Sequence, residues 1–265
     1  MTGADNKLRG IWWNVWYDAR DRQGGAHAIA KRITELIKTH NPDWICLQEA
    51  FSYQKYAAMG DLDILIKKAT GWNGYFVADR EYLYRSSNSH NKFHFKQGMA
   101  IYSKWPITRS SAHILGTIPR SIKKGSSREH IIEVDLRTSQ GMVTVANTHW
   151  TKMSIRFIGY RKEQMRNFKR HISNRAPEHP YIVGGDFNTL EFHPTIRQLS
   201  GLLDLRTSPG KQPTWRHFGK QHSLFFSNID YVGVFRDGKV TLHDIQQLDR
   251  PPSDHTPMLA SFSIL

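Results

Sequence analysis

The stretch Ile182-Val183-Gly184-Gly185-Asp186-Phe187-Asn188 is an apolar run that closes on Gly-Gly-Asp-Phe-Asn. A short apolar run bounded by glycines is the pattern of a buried strand. Residues just past such a strand lie at a sheet edge, where catalytic groups are often displayed. That edge carries a carboxylate, Asp186, and an amide two positions on, Asn188, which alternation turns to the same side. Near the C-terminus, Ser253-Asp254-His255 follows Pro251-Pro252 and precedes a second strand-like run. A further carboxylate and an imidazole therefore stand at another strand entrance.

Working outward, β-prone runs occupy Ile11 to Trp16, Asp43 to Gln48, Met99 to Tyr102, Ile131 to Leu136 and Met142 to Ala146. Three more close the chain: Ile229 to Phe235, Val240 to Ile245 and Met258 to Ile264. Ala26, Ile29, Ala30, Ile33, Leu36 and Ile37 follow helical spacing, and Asn41-Pro42 stops that helix. Ser52 to Thr70 reads as weakly helical. Ile158, Met165, Phe168 and Ile172 share one helix face, with Lys162, Arg166, Lys169 and Arg170 on the opposite, solvated one. Strands and helices in this mixture predict a layered α/β (α+β) protein with antiparallel hairpins.

The chain has 265 residues, ample for one core, and we read 1–265 as a single domain. Its 37 Lys+Arg against 23 Asp+Glu give a net charge of +14. A surplus that large points to a polyanionic partner: a nucleic acid, or else an anionic lipid surface. Basic and aromatic residues interleave in His90 to Lys96, and Arg120, Lys123, Lys124 and Arg128 follow; as loops, these would track a phosphate backbone. The single cysteine, Cys46, lies in an apolar run and cannot form an internal disulfide, which favours a reducing, cytoplasmic compartment over secretion. Met1 to Arg9 has no apolar signal region. No stretch approaches the roughly 18 apolar residues of a membrane span. A monomer is expected.

Acidic and amide residues recur at strand ends: Asn14, Glu49, Asp186, Asn188, Asp230 and Asp254. Singly, Asn14 reads as a turn former, Glu49 as a charge at a helix N-terminus and Asp230 as a strand-boundary residue. Together they form an oxygen-rich, thiolate-poor set suited to Mg²⁺, with Mn²⁺ as the alternative. The histidines lack zinc-helix spacing, but His149 and His255 follow a strand and an Asp at a strand entrance.

The ordered set Trp13-Asn14, Leu47-Gln48-Glu49, Gly98-Met99-Ala100-Ile101, Asn147-Thr148-His149, Gly185-Asp186-Phe187-Asn188, Ile229-Asp230-Tyr231 and Ser253-Asp254-His255 resembles the endonuclease/exonuclease/phosphatase superfamily, the deoxyribonuclease I-like fold. That resemblance implies a four-layered α/β sandwich of two packed mixed β-sheets flanked by helices, and Mg²⁺-dependent hydrolysis of phosphodiesters or phosphomonoesters. It implies Glu49 as main metal ligand with Asn14 beside it, and Asp254 on the metal or its shell. Asp186 would orient or deprotonate water, steadied by Asn188. His255, polarised by Asp230, would donate to a phosphate oxygen; His149 and Arg128 would bind phosphate. Trp215 is the candidate substrate-lining ring. Gln97 stands where the deoxyribonuclease branch often has a glutamate that supports the histidine at the position of His149. The expected substrate is DNA or RNA, ahead of a phospholipid of the neutral sphingomyelinase type and ahead of a silent polyanion binder, since the metal Glu and the paired Asp and His are all present.

Overall fold

The computed structural model describes residues 7–15, 25–53, 61–85, 92–118, 127–152, 158–175, 178–209, 213–215, 228–249 and 253–265. The first sheet is built from β1 (Leu8–Asn14), β2 (Trp44–Tyr53), β3 (Asn73–Arg85), β4 (Lys92–Ser103), β11 (Val240–Gln247) and β12 (Met258–Ile264). Its order is β11-β12-β1-β2-β4-β3. The second sheet takes β5 (Ile107–Ile118), β6 (Ser127–Thr138), β7 (Gly141–His149), β8 (Tyr181–Asp186), β9 (Leu203–Arg206) and β10 (Asp230–Phe235). Its order is β5-β6-β7-β8-β10-β9. Each sheet is antiparallel except for one central parallel pair, β1 with β2 and β7 with β8. A parallel pair needs a crossover. Here α1 (Gly25–His40) makes the first and α3 (Ile158–Arg175) the second; α2 (Leu62–Thr70) and α4 (Pro194–Leu199) complete the outer layers.

The strand sequences explain the layering. Alternation sends Trp12 into the core between the sheets, with Cys46, Met99, Val145, Ile182 and Val232. It sends Trp13 outward under α1 and α2, with Ile29, Ile33, Leu47 and Ile66. A third core lies under α3 and α4, where Phe168 and Ile172 meet Trp150, Val183 and Phe187. Central strands buried on both faces read as continuous apolar runs, which is why β1 and β8 are legible. Trp12 and Trp13 are both buried; Trp16 and Tyr17 lie outside the described residues. Cys46 is buried, and burial pushes its thiol well above the usual value. Among the described residues, no helix is long and apolar enough to cross a membrane.

Two expectations are corrected. The segment read as weakly helical from Ser52 to Thr70 begins as strand, Ser52 and Tyr53 closing β2, and becomes helix only at Leu62. That helix starts where Asp61 accepts a hydrogen bond from the Ile64 N–H, and ends on left-handed Gly71. Lys92 to Lys96, read as part of a loop, instead continue β4 and pair with Arg85 to Glu81 of β3. Arg120, Lys123 and Lys124 lie outside the described residues. On α3, Lys162, Arg166 and Arg170 are exposed as expected.

Gly185 fits a position that admits no side chain. Its φ is 144°, and a Cβ there would sit 1.9 Å from the Thr148 carbonyl oxygen of the neighbouring parallel strand. Gly185→Ala is therefore expected to destabilise the fold by roughly 2–4 kcal/mol, through strain and a backbone clash. Urea denaturation measures this; a change under 1 kcal/mol would contradict the close approach.

Candidate active site

The topology delivers six chain segments to one edge of the sandwich. β1, β7 and β8 end on Asn14, His149 and Asp186, and β2 presents Glu49 from within its length. β10 runs antiparallel to β8, so its first residue, Asp230, lies directly opposite Asp186. β12 runs antiparallel to β1, so the turn before it brings Ser253, Asp254 and His255 to Asn14, where the Ser253 hydroxyl donates to the Asn14 carbonyl at 2.7 Å. Residues separated by up to 239 positions thus meet at one rim.

Asp186 is the centre of the cluster. Its Oδ1 accepts from the Asn188 backbone N–H at 2.7 Å. Its Oδ2 accepts from Asn14 Nδ2 at 3.1 Å and faces two imidazoles, His149 Nε2 and His255 Nε2, each at 3.7 Å. Burial and the adjacent Asp230 charge raise its pKa, with His255 and His149 pulling the other way.

Glu49 is presented by a bulge. Gln48 and Glu49 together oppose Met99 of β4, and Glu49 has a φ of 54°. An extra strand residue re-aims a side chain and leaves local strain, both common beside functional sites. Asn14 Nδ2 reaches Glu49 Oε1 at 3.5 Å and His149 Nε2 is 3.8 Å from the same oxygen. Gln97 Nε2 donates to Glu49 Oε2 at 2.6 Å, so the partner the structure gives that amide is Glu49, in place of His149. Burial would raise the Glu49 pKa, but the charges of His149, Lys152, Arg80 and His255 outweigh it and hold the group below its ordinary value. Behind it, Gln48 Nε2 donates to Asn147 Oδ1 at 2.6 Å and ties the two sheets together.

His255 is held by Asp230, whose Oδ2 and Oδ1 lie 3.0 and 3.2 Å from Nδ1. Burial alone would lower its pKa; Asp230, Asp186 and Asp254 overcome that and push it up to about 10. A folded-state value above the unfolded one of about 6.5 means that this contribution is whole below pH ~6.5 and fades as pH climbs through ~10. Thermal unfolding between pH 6.5 and 10 should therefore show a steeper loss of midpoint for the unsubstituted chain than for His255→Gln; parallel curves would contradict the shift. Asp254 is raised to about 6, by burial and then by Glu49 and Asp186, against the pulls of His255 and of the Trp215 hydrogen bond.

Other expected residues fall at varying distance from this centre. Trp215 pairs with His255 in an isolated bridge, and its Nε1 donates to Asp254 Oδ2 at 3.0 Å, so the ring orients a site carboxylate. Asn188, at φ 46°, turns its amide onto the Trp150 carbonyl at 2.8 Å. Arg128 is exposed on β6 opposite Thr117. Residues not singled out in the sequence also contribute. Arg161 of α3 donates to Thr151 O, Thr189 Oγ1 and Phe187 O, which locks the segments after β7 and β8 together. Arg80 pairs with Glu129 at 3.2 Å, and His130 Nδ1 lies 2.7 Å from Asp79. These pairs have no local signature, because each joins β3 to β6 across the sandwich.

The donor set suits a hard divalent cation. Among the described residues, Asp254 Oδ1 is buried with no hydrogen-bond partner, while its other oxygen is fixed by Trp215. Glu49 Oε1 is met at long range only, by Asn14 Nδ2 at 3.5 Å and by His149 Nε2 at 3.8 Å among the described residues. Asp186, Asp230 and His255 also present ligand atoms within 4.8 Å of one another; with His255 Nδ1 committed to Asp230, that trio is better suited to holding protons.

Two six-stranded sheets thus bring carboxylates and histidines together at one rim. The chain belongs to the endonuclease/exonuclease/phosphatase family, whose model matches residues 11–255. Members of that family hydrolyse phosphoester bonds and generally depend on a divalent metal. A search of curated proteins finds no match to this chain. Among solved structures, it resembles an endonuclease/exonuclease/phosphatase from Beutenbergia cavernae, with a TM-score of 0.75 at 21% identity over 98% of this chain and 72% of that one. It also resembles the catalytic domain of human nocturnin, with a TM-score of 0.71 at 19% identity over 98% and 94%. A mannosyl-6-phosphatase from Bacteroides thetaiotaomicron gives a TM-score of 0.70 at 17% identity over 97% and 100%.

Proposed function

We propose that the protein is a Mg²⁺-dependent phosphodiesterase, a nuclease acting on DNA or RNA. The observation that carries the reading is Asp186 Oδ2, held by Asn14 and facing two imidazoles 3.7 Å away, with Glu49 reached by the same asparagine nitrogen. Glu49, with Asn14 and Asp254 beside it, would hold the divalent ion; when bound, such an ion neutralises charge building on phosphoryl oxygens. Asp186, whose basicity is raised by burial, accepts a proton from the attacking water as the new P–O bond forms and the ester P–O bond opposite it breaks, the leaving oxygen taking a proton from solvent. His255, kept as imidazolium by Asp230, donates to a phosphoryl oxygen. His149, facing both Glu49 and Asp186, is the second donor. Asn188 steadies the Asp186 oxygen that it bonds through its backbone. Mn²⁺ is the alternative ion.

The net charge of +14 supports a polyanionic substrate. A nuclease should bind with a strong inverse dependence on salt. The test is purified protein with Mg²⁺ against plasmid DNA, single-stranded RNA, sphingomyelin and a soluble phosphomonoester. Cleavage of either nucleic acid supports the proposal. Turnover of sphingomyelin alone would replace it by a lipid phosphodiesterase, and turnover of the monoester alone by a phosphatase. Tight polyanion binding with no turnover would leave only a silent binder.

A further inference from the structure

A second cluster of ligand-forming side chains lies on the outer face of the second sheet, on residues that the proposed hydrolysis does not use. Glu133 of β6 stands opposite Ser111 of β5, and His113 is two residues along β5 on the same face. α3 lies over these strands, seated by Asn167 Nδ2 on the Leu115 carbonyl at 2.9 Å. One helical turn further on, His171 Nε2 lies 2.8 Å from Glu133 Oε1. The His113 and His171 rings are 4.0 Å apart between centroids and tilted by 37°. Each of His113, Glu133 and His171 offers a ligand atom, and those atoms all lie within 4.8 Å of one another.

We propose that His113, His171 and Glu133 form a binding site for one divalent transition-metal ion, Zn²⁺ by its chemistry, that clamps β5 and β6 to α3. Two borderline imidazoles with one carboxylate form a ligand set that suits zinc and leaves a fourth position for water. That position opens on the exposed side, at His113. Zinc ligands at about 2.1 Å from the ion stand about 3.4 Å apart, so side-chain rotation has to close at most about 1.4 Å. The ion takes the place of the proton that His171 shares with Glu133, and that proton is released to solvent. The carboxylate is already oriented: Tyr181 OH donates to Oε1, and Ser111 Oγ and Arg175 Nε lie 3.4 and 3.5 Å from Oε2. Such supporting contacts fix a ligand in place before the ion arrives.

The surrounding charge is compatible with a cation. Glu133, Asp135 and Glu178 are linked by Arg175, and Arg109 joins Glu178. Three carboxylates against two guanidinium groups leave one negative charge for the ion to neutralise. This set contains nitrogen ligands, whereas the hard-oxygen set at Glu49 and Asp254 suits Mg²⁺, so the two sites separate by metal softness.

The test titrates Zn²⁺ against a competing chromophoric chelator into the full chain, in excess Mg²⁺ and with Glu49→Gln present to weaken the other site. One zinc per chain is expected, with a rise in thermal midpoint. His113→Ala and His171→Asn should each weaken that binding at least about tenfold. Unchanged zinc affinity in His113→Ala, which alters only an exposed rim residue, would overturn the proposal and leave the three residues as a hydrogen-bonded brace. Anomalous scattering at the zinc edge from crystals of the unsubstituted chain decides independently of any variant. A peak between the three side chains supports the site; a peak elsewhere only, or none, overturns it.

Discussion

Replacing Asp186 by Asn is expected to lower kcat by about 10³-fold, within the range of a lost general base, while leaving the protein folded. The amide preserves the shape of the side chain, and its oxygen still accepts from the Asn188 N–H. The other atom becomes an N–H₂ group aimed at Asn14 Nδ2, so two donors face each other and the Asn14 link to Glu49 is disturbed. The substitution also removes one of two adjacent buried carboxylates, since Asp230 lies directly opposite on β10. Burial and that neighbour make the ionised form costly. The variant should therefore unfold at the same temperature as the parent or higher. Steady-state kinetics with a thermal melt check both halves; activity within tenfold of the parent would remove Asp186 from the reaction.

His255→Gln carries the second large effect, about 10²–10³-fold in kcat, the size of a lost transition-state donor. Its stability cost separates two roles. Without the imidazolium, Asp230 is a buried carboxylate that has lost its partner, and breaking such a pair typically costs about 3–5 kcal/mol. Adding Asp230→Asn removes that orphaned charge. The double variant should regain most of the lost stability and none of the lost activity. Recovery of activity along with stability would mean that His255 acts only as a structural partner of Asp230.

The legible parts of this molecule are those whose physics is local. β8 and the residues after it announced themselves because a strand buried on both faces must be apolar, and its glycines mark a close backbone approach. α1 was legible from apolar spacing, and its stop from Asn41, which takes a left-handed φ of 44° before Pro42. β3 and β5 were not, because edge strands expose polar residues: β5 carries Arg109-Ser110-Ser111 near one end, all exposed or half-buried. Glu49 was open to reading as the start of a helix, since a bulge is a property of two strands together. The meeting of Asn14, Glu49, Asp186, Asp230, Asp254 and His255 was expected from the resemblance, and their distances bring them to one rim. Gln97 found a different partner, and Arg161, Arg80 and the Asp79–His130 pair left no trace in local pattern, because each acts across elements distant in sequence. His113, Glu133 and His171 are likewise separated by 20 residues or more and meet only when α3 packs on the sheet.

The central claim is that Glu49 holds a divalent ion at which a phosphoester is hydrolysed. Its most direct test is the initial rate on the best substrate as a function of Mg²⁺ concentration, for the unsubstituted chain and for Glu49→Gln. The account predicts a saturable rise from no activity in chelator, and a variant whose curve shifts to much higher Mg²⁺ with a lower maximum. Equal rates with and without chelator, or superimposable curves for the two proteins, would contradict it.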